Sequence, residues 1–487
     1  MGNNSTWGEE VVGSGIYNNA SFSIGQYHYE TDGFRDNAFL RDNIFNAFLQ
    51  YNLFPQTSIQ GEFRYRDFEY GDLQLRFFPD DFFPNQRQKE ETNSIRLGFH
   101  HNFAPGSDLI GNFMYQNVDA SFHDVTDWPD YFLRDIWFID PIKEEALSGE
   151  LQYLFRSKYL KITGGAGFFK VDTKEVWTDL YFDTSFFPPF FLSPPDNLIE
   201  KRHIRHTNFY LYSYVNFPKN VTFTIGASAD LYDGGVRDQD QFNPKFGITW
   251  NPFVNTTVRG AVFRTLKRTL VTNQTLEPTQ VAGFNQFFDD PNVTESWRYG
   301  IGIDQKFSKD IYGGIEYSQR DLEVPFLSYP APSIIKTALV DWKERLGRAY
   351  LYWTPHKWFG LSAEYQYEKF DRDKKFVAGI KKAETHRVPL GINFYHPSGL
   401  GASLKATYFN QDGEFQRQIT GDYMSGKDQF WLFDTAINYR LPKKYGFITL
   451  GAKNLLNKHF RYYDVDPVNP VVQPDRLIFL KVTLALP

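Results

Sequence analysis

The stretch Ile59–Arg66 reads Ile-Gln-Gly-Glu-Phe-Arg-Tyr-Arg, and two kinds of side chain alternate in it. Its odd-numbered residues are apolar, aromatic or glycine, and its even-numbered residues are polar or charged. Because successive side chains of a β-strand point to opposite faces, this pattern predicts a strand with one apolar and one polar face. The pattern recurs from about residue 20 to the C-terminus, for example at Ile95–His100, Leu147–Tyr153, Leu361–Glu368 and Arg387–Phe394.

The length of these runs and the overall composition narrow the class of protein. The runs last roughly nine to twelve residues, as tilted membrane strands do, whereas strands of soluble sheets average about five or six. Aromatic residues make up 18% of the chain, which favours a membrane barrel with aromatic girdles. Cysteine is absent, so the chain has neither disulfides nor thiolate metal sites. A net charge of −6 argues against a nucleic-acid partner.

Short polar breaks separate the runs in pairs, with a much longer connection between successive breaks. This alternation of short turns and long loops is typical of outer-membrane barrels, in which the turns are periplasmic and the loops extracellular. An aromatic residue precedes most of the breaks, where an interfacial girdle is expected. The nine predicted turns are Phe54–Gln56, Ala104–Gly106, Arg156–Lys158, Phe217–Asn220, Asn251–Pro252, Ser308–Asp310, Thr354–Lys357, His396–Gly399 and Leu441–Lys444.

The sequence therefore predicts an all-β protein, a large closed antiparallel transmembrane β-barrel of the outer membrane. Nine turns join eighteen strands, and one strand at each end brings the total to about twenty, or 22 if one hairpin is missed. Residues 1–19 are predicted as a periplasmic N-terminal segment and residues 20–487 as the barrel. The start of the chain lacks the basic and apolar regions of a signal peptide, so we expect a mature or partial chain.

Three stretches resemble the barrel of TonB-dependent receptors. Phe242–Trp250, continued by Thr257–Ala261, is similar to a hairpin of that family. Leu276–Pro278, followed by Trp297–Gly302, is similar to one of its loops and the next strand. Gly451–Lys458 resembles the segment before its last strand. The early stretch Phe63–Phe77 resembles a group of outer-membrane proteins that carry periplasmic tetratricopeptide repeats ahead of such a barrel.

The chain also departs from that family. Its receptors carry an N-terminal plug and a short TonB-binding box, and the first clear strand here begins too early for either. Energised uptake is therefore not carried over from the resemblance. The chain ends in Leu484–Pro487 rather than in the terminal aromatic residue typical of the family. We expect that a plug or repeat domain, if there is one, lies outside this chain.

The alternation predicts which charged side chains line the interior. Two interpretations stay open: a hydrated wall of mutually compensating charges, or a polar track for a sugar or charged solute. A barrel this wide is not filled by wall side chains alone, so we expect a segment to fold in or a partner to dock. The lumen-lining candidates are Glu62, Arg64, Arg66, Arg96, Glu150, Arg259, Glu316, Arg320, Arg348, Glu364, Glu368 and Lys405.

The long connections are unusually aromatic. Exposed clusters this apolar are costly, so they should pack on each other as a lid over the pore, or stack on a sugar or a protein partner. Both interpretations stay open. The loop candidates are Phe82, Phe83, Trp128, Phe186, Phe187, Phe190, Phe191, Phe287 and Phe288.

Signals for catalysis, cofactors and metals are weak. There is no Gly-x-Ser-x-Gly elbow and no cysteine nucleophile. Neither Glu200, His203 and His206 nor the aspartates at 233, 238 and 240 have the spacing of a recognised metal site. We predict a protein that is not an enzyme, without cofactor or metal.

The leading hypothesis is a passive or gated conduit for a polymer or solute across the outer membrane. One alternative is a membrane anchor whose extracellular loops bind a protein or surface assembly. A second is a TonB-dependent nutrient receptor whose plug is not in this chain. The expected partners are outer-membrane lipid, a periplasmic partner or a missing N-terminal domain, and an extracellular protein or glycan.

Overall fold

The computed structural model describes residues 1–128, 133–183, 190–191, 196–331, 334–373, 379–418, 420–466 and 470–486. Almost all of this part of the chain is β-strand. One antiparallel sheet contains 22 strands, among them the two-residue strand β9. Two further strands form a separate small hairpin, and two 3-10 turns cover Val271–Asn273 and Pro442–Lys444.

The strands of the large sheet are β1 Trp7–Tyr17, β2 Ala20–Thr31, β3 Leu40–Phe54, β4 Thr57–Tyr70, β5 Arg87–Ala104, β6 Ser107–Trp128, β7 Leu133–Arg156, β8 Leu160–Asp183, β9 Phe190–Phe191, β10 Asp196–Val215, β11 Val221–Gly234, β12 Gln239–Phe253, β13 Thr256–Leu266, β16 Glu295–Lys306, β17 Ile311–Ala331, β18 Ile334–His356, β19 Phe359–Arg372, β20 Ile380–Tyr395, β21 Leu400–Gln416, β22 Tyr423–Arg440, β23 Gly446–Lys453 and β24 Leu477–Leu484; the small hairpin is β14 Gln280–Val281 and β15 Phe284–Asn285.

The register places the two kinds of side chain on opposite faces of the sheet. Between β4 and β5, Glu62 lies opposite Arg96, and Phe63 lies opposite Ile95. Large apolar side chains on one face remain exposed, such as Leu97 with 53% of its surface accessible. An apolar face open to the surroundings is costly in water and favourable against acyl chains. The exposed apolar face is therefore the outer, lipid-facing surface, and the charged face is the inner one.

Short turns join the strands at one end of the sheet, called here the turn end, and longer connections lie at the opposite loop end. The nine predicted turns all lie at the turn end, with small shifts. For example, β12 continues through Pro252 to Phe253, and the turn is Val254–Asn255. A β-bulge after Trp250 accommodates the extra residues.

The N-terminal boundary predicted from the sequence is wrong at residues 7–17. These residues form β1, which pairs with β2 from Trp7↔Glu30 to Tyr17↔Ala20. The sequence of β1 places glycines and charges among its apolar residues, so its alternation is weak, and pairing with β2 makes it a strand. The expected figure of about twenty strands omitted β1 and β9.

The two edges of the sheet meet through a few residues. Gly2 forms a bridge with Phe479 of β24, and the Met1 amino group donates to the Leu480 carbonyl oxygen at 3.0 Å. Within the described residues, no ladder of strand pairs joins β1 to β24. The predicted closed sheet is therefore found as one continuous antiparallel sheet whose edges touch at this bridge.

Among the described residues, there is no helix with the length and hydropathy needed to cross a bilayer.

Candidate functional site: the lumen and its inward-folded loops

The inner face carries all twelve charged residues that the sequence assigned to it. Most of them form ion pairs across neighbouring strands. Arg66 donates to both carboxylate oxygens of Asp42 at 2.8 and 3.0 Å, and Arg348 donates to both oxygens of Glu364 at 3.1 Å. Such pairs neutralise charge along the wall, so net charge does not accumulate there.

The other predicted wall residues fall into three groups. Glu62 pairs with Arg96 at 3.2 Å, and Glu368 accepts a hydrogen bond from Arg387. Arg259 donates to Asp304 and to Glu316, both at 2.9 Å. Arg64 and Lys405 are exposed on the inner face, whereas Glu150 and Arg320 are buried beneath a loop.

The loop of residues 267–294, between β13 and β16, folds back onto the inner face. Its side chains Val281 and Phe284 are 0% and 1% exposed. Phe284 packs in one buried cluster with Phe263 of β13 and Tyr212 of β10. Burying these apolar groups on the wall holds the loop inside the sheet. We call this segment the 267–294 loop.

The 267–294 loop penetrates deeply. At Gly247 of β12, a Cβ atom would lie 2.8 Å from the Cβ of Ala282, so only glycine lets the loop approach this closely. Gly247 is eight residues from Gln239, the first residue of β12, which corresponds to about 26 Å along the strand. The tip of the loop therefore lies far below the loop end.

Hydrogen bonds from the wall fix one side of the 267–294 loop. The Glu150 carboxylate accepts the hydroxyl of Thr275 at 2.5 Å and the N–H of Leu276 at 3.0 Å. Arg96 donates to the Thr272 hydroxyl at 3.4 Å. Glu150 and Arg96, which the sequence predicted as lumen-lining residues, thus hold the loop against the wall.

A buried ion pair lies inside the 267–294 loop. The Arg268 guanidinium donates to the Glu277 carboxylate, which also accepts the hydroxyl of Tyr212 at 2.5 Å and the amide of Asn208 at 3.3 Å. Burial alone lowers the pKa of Arg268, but the carboxylates of Glu277 and Asp230 raise it above the ordinary value. Arg268 therefore stays charged in a site closed to water.

The aromatic loop candidates are placed over arginines rather than on one another. The Arg320 guanidinium lies 3.8 Å from the ring centroid of Phe288, and the Arg268 guanidinium lies 5.0 Å from that of Phe287. Such contacts between cations and ring faces are favourable, more so away from water.

The remaining aromatic candidates are two side chains of the 71–86 loop and five whose side chains lie outside the described part of the structure. Arg35 lies 5.1 Å from the Phe82 ring, and Arg76 lies 5.1 Å from the Phe83 ring. Only the backbone is described at Trp128, Phe190 and Phe191, whereas Phe186 and Phe187 lie outside the described residues.

Two other connections pack together near the loop end, the 71–86 loop and the 454–476 loop. Phe77 stacks on Phe415 of β21 with ring centroids 4.3 Å apart. Tyr462 packs against Phe409 and Phe430, and the Asp464 N–H donates to the Leu75 carbonyl oxygen at 2.9 Å. The two loops therefore connect β4 and β5 to the inner face of β20–β22. These two groups of strands lie on opposite sides of the place where the sheet edges β1 and β24 meet.

A cavity of about 470 Å³, lined by both polar and apolar side chains, remains on the inner face of the strands from β19 to β23. It contains both signs of charge and several hydroxyl and amide groups, as expected for a hydrated passage rather than an apolar ligand pocket. Its polar lining includes Ser362, Glu364, Gln366, Asn393, Ser403, Lys405, Asp434, Thr435 and Lys453.

The histidines singled out in the sequence have carboxylate partners. His203 pairs with Asp172 at 2.8 Å, and His206 pairs with Asp230 at 2.9 Å. Within the described ranges, no group of three or more His, Asp or Glu side chains has the geometry to hold a metal ion.

No protein-family model matches the sequence, and neither does any curated protein. Solved structures match over nearly the whole chain. The ferripyoverdine receptor of the Pseudomonas aeruginosa outer membrane has a TM-score of 0.72 at 14% identity, with 98% of this chain and 70% of that chain covered. The siderophore receptor PiuA from Acinetobacter baumannii has a TM-score of 0.72 at 12% identity, with 99% of this chain and 80% of that chain covered. The copper transporter OprC has a TM-score of 0.73 at 11% identity, with 100% of this chain and 79% of that chain covered.

The fold is that of a TonB-dependent receptor barrel. The resemblance seen in Gly451–Lys458 and the two other stretches is confirmed at the level of the fold. These structural relatives are receptors and transporters rather than enzymes. Together with the apolar outer face, the fold indicates a protein of the Gram-negative outer membrane.

Proposed function

We propose that this chain is a gated conduit for hydrophilic solutes across the outer membrane, and that the 267–294 loop is its gate. The observation that carries the proposal is the division of the lumen. The loop covers the inner face from β5 to β17, while the inner face from β19 to β23 keeps a cavity with charged and polar groups, on the turn-end side of the 71–86 and 454–476 loops. A passage along the open wall would meet hydroxyl, amide and charged groups.

The way the loop is held suits a gate. Its buried apolar residues, Val271, Val281, Phe284 and Val293, are divided among three small clusters, and its other contacts with the wall are hydrogen bonds and the ion pair of Asp290 with Arg320. Hydrogen bonds of this kind exchange for hydrogen bonds with water, at a net cost of about 1 kcal/mol each. The loop therefore has a second, hydrated state of moderately higher free energy, in which it is displaced from the wall into the lumen.

The size and chemistry of the cargo follow from the wall. A cavity with both Glu364 and Lys405 favours small polar or zwitterionic solutes over apolar ones. Structurally similar proteins include a ferripyoverdine receptor, a ferric citrate transporter and a copper transporter. Those cargoes are polar, which supports the same broad class here.

A disulfide lock tests the gate directly. The chain has no cysteine, so the double variant Gly247→Cys/Ala282→Cys contains only the designed pair. The Cβ separation of 2.8 Å at this position has to widen by about 1 Å to reach disulfide geometry. In planar bilayers, the oxidised protein should show low, steady conductance, and reduction should restore opening events.

A loop-shortened variant and a single-cysteine control complete the experiment. Replacing residues 271–290 by a Gly-Ser linker should raise the steady conductance several-fold, and Ala282→Cys alone should not respond to oxidation. Equal conductance in all forms would overturn the gate. Silence of the shortened variant, with its heat-dependent gel mobility intact, would favour the anchor function over a conduit.

A further inference from the structure

A row of three lysines crosses the outer face of the sheet. Lys143 of β7 lies opposite Lys174 of β8, which in turn lies opposite Lys201 of β10. All three side chains are exposed. Lys170 of β8 lies opposite Arg205 of β10 and forms a second like-charged pair with it. This pair is nearer the turn end, and the pair of Asp172 and His203 lies between it and the lysine row. Like charges directly opposite each other on a sheet are destabilising unless an anion bridges them.

Three carboxylates lie close to this row on the outer face: Asp119, Asp172 and Glu145, which is exposed and lies opposite Asp172. Asp119 of β6 lies 3.8 Å from Lys143. Asp172 lies between the two rows and pairs with Lys170 at 2.5 Å and with His203 at 2.8 Å. Within the described part of the chain, Lys174 and Lys201 have no ion pair. Neighbouring strands are about 4.8 Å apart, so one phosphate group can contact two adjacent ammonium groups.

The row lies just above the lipid-facing band. Lys143 precedes Arg156, the last residue of β7, by 13 positions. With ordinary strand rise and tilt, this corresponds to a height of about 30 Å above the turn end, whereas the apolar band of such barrels is about 25 Å tall. Below the row, the outer face carries Leu151 and Phe168, which are 47% and 41% exposed. The row is thus at the level of the outer-leaflet headgroups.

The lysine row differs in its charge compensation from the upper outer face of β16–β18. On β16–β18, the corresponding upper outer face carries the row Glu295, Glu323 and Asp341. Glu295 pairs there with Arg264, and Glu323 pairs with Arg237, so the protein's own side chains compensate the acidic row. The uncompensated charge of Lys174 and Lys201 favours contact with an anion at the β7–β10 sector.

We propose that Lys143, Lys174 and Lys201 bind the phosphate groups of a phosphorylated glycolipid of the outer leaflet. Lys170 and Arg205 extend the site toward the acyl chains. The neighbouring apolar face packs against those chains, so headgroup and chain contacts act together. The proposal does not depend on whether the lumen conducts.

The test uses the full chain purified in detergent, with a bisphosphorylated lipid A as the probe and native mass spectrometry as the readout. Lys143→Gln/Lys174→Gln/Lys201→Gln should reduce glycolipid retention at least about tenfold relative to the unmodified chain. The matched control Lys219→Gln/Lys309→Gln/Lys357→Gln removes the same charge at the turn end and should bind normally.

Two further arms separate the sources of phosphate. Enzymatically dephosphorylated glycolipid should bind the unmodified chain as weakly as lipid A binds the lysine variant, and excess inorganic phosphate should not displace lipid A. Equal retention by the lysine variant and the unmodified chain would overturn the proposal. Displacement by inorganic phosphate would overturn the choice of a lipid. Unchanged heat-dependent gel mobility shows that each variant is folded, and none of these outcomes involves conductance.

Discussion

Arg268 and Glu277 form an ion pair inside the 267–294 loop, with side chains that are only 2% and 0% exposed. Glu277 follows Arg268 by nine positions, so the pair closes the loop on itself while Tyr212 connects it to the wall of β10. The presence of a buried ion pair is weak evidence that the pair raises the free energy of unfolding. Loss of one partner, however, leaves a buried charge without compensation.

Glu277→Ala should therefore destabilise the packed loop by about 3–5 kcal/mol. The loop would move into water, and the lumen would widen. Limited proteolysis within residues 267–294 and single-channel conductance both report the change. Arg348→Gln is the control, because it breaks a more exposed pair on the open wall. Equal proteolysis of Glu277→Ala and the unmodified chain would contradict the role of the pair.

Gly300 of β16 and Phe284 of the loop provide a steric test. A Cβ at Gly300 would lie 2.5 Å from the Phe284 ring. Gly300→Ala should displace the ring at a cost of about 1–3 kcal/mol and loosen the loop without unfolding the sheet. The control is Gly260→Ala, where the new Cβ would meet Ile248 at an ordinary 3.5 Å. Cysteine-accessibility labelling at position 282 should increase in the first variant only.

Phe77→Ala should detach the 71–86 loop from β21. Phe77 is fully buried and stacks on Phe415, and phenylalanine truncation at such sites costs about 3–5 kcal/mol. Hydrogen exchange should become faster in residues 71–86 and in the 454–476 loop that packs against them, while β4 and β5 keep their protection. Unchanged exchange in both loops would show that the stack does not hold them.

The pH dependence of the 454–476 loop follows from Asp464. Burial raises the pKa of Asp464 above its usual value, although its carboxylate accepts the backbone N–H groups of Asp466 and Val471. A raised folded-state pKa gives a stabilising contribution that is complete below the ordinary value of about 4 and is lost as pH rises through the folded-state pKa. Proteolysis of this loop should thus become faster as the pH rises above the ordinary aspartate pKa of about 4. Asp464→Asn should flatten that profile.

Lys405→Glu should change the ion selectivity of the conduit. Lys405 is exposed in the open cavity beside Asp434, so reversal of its charge makes the wall acidic. Reversal potentials measured in a salt gradient should shift toward cation selectivity. Lys309→Glu, at a turn outside the lumen, is the matched control. No shift in the Lys405 variant would mean that ions do not pass along this wall.

Much of the architecture could be predicted from local pattern. The alternation in Ile59–Arg66 determines both faces of β4, because a strand has a side-chain period of two whatever its neighbours are. All twelve inner-face charges follow from that rule. It failed at Trp7–Tyr17, where the alternation is weak and pairing with β2 decides the conformation.

The loops could not be predicted in the same way. Nothing local in residues 267–294 indicates that Phe284 packs on Phe263, or that Glu277 contacts Tyr212, which precedes it by 65 positions. The only signal was the aromatic content around Phe287 and Phe288, and it gave no direction of folding. The sequence by itself determined a β-sheet with an apolar outer face and a charged inner face. Only the tertiary structure decided which loops enter the lumen, because burial of a loop depends on wall residues brought together from many strands.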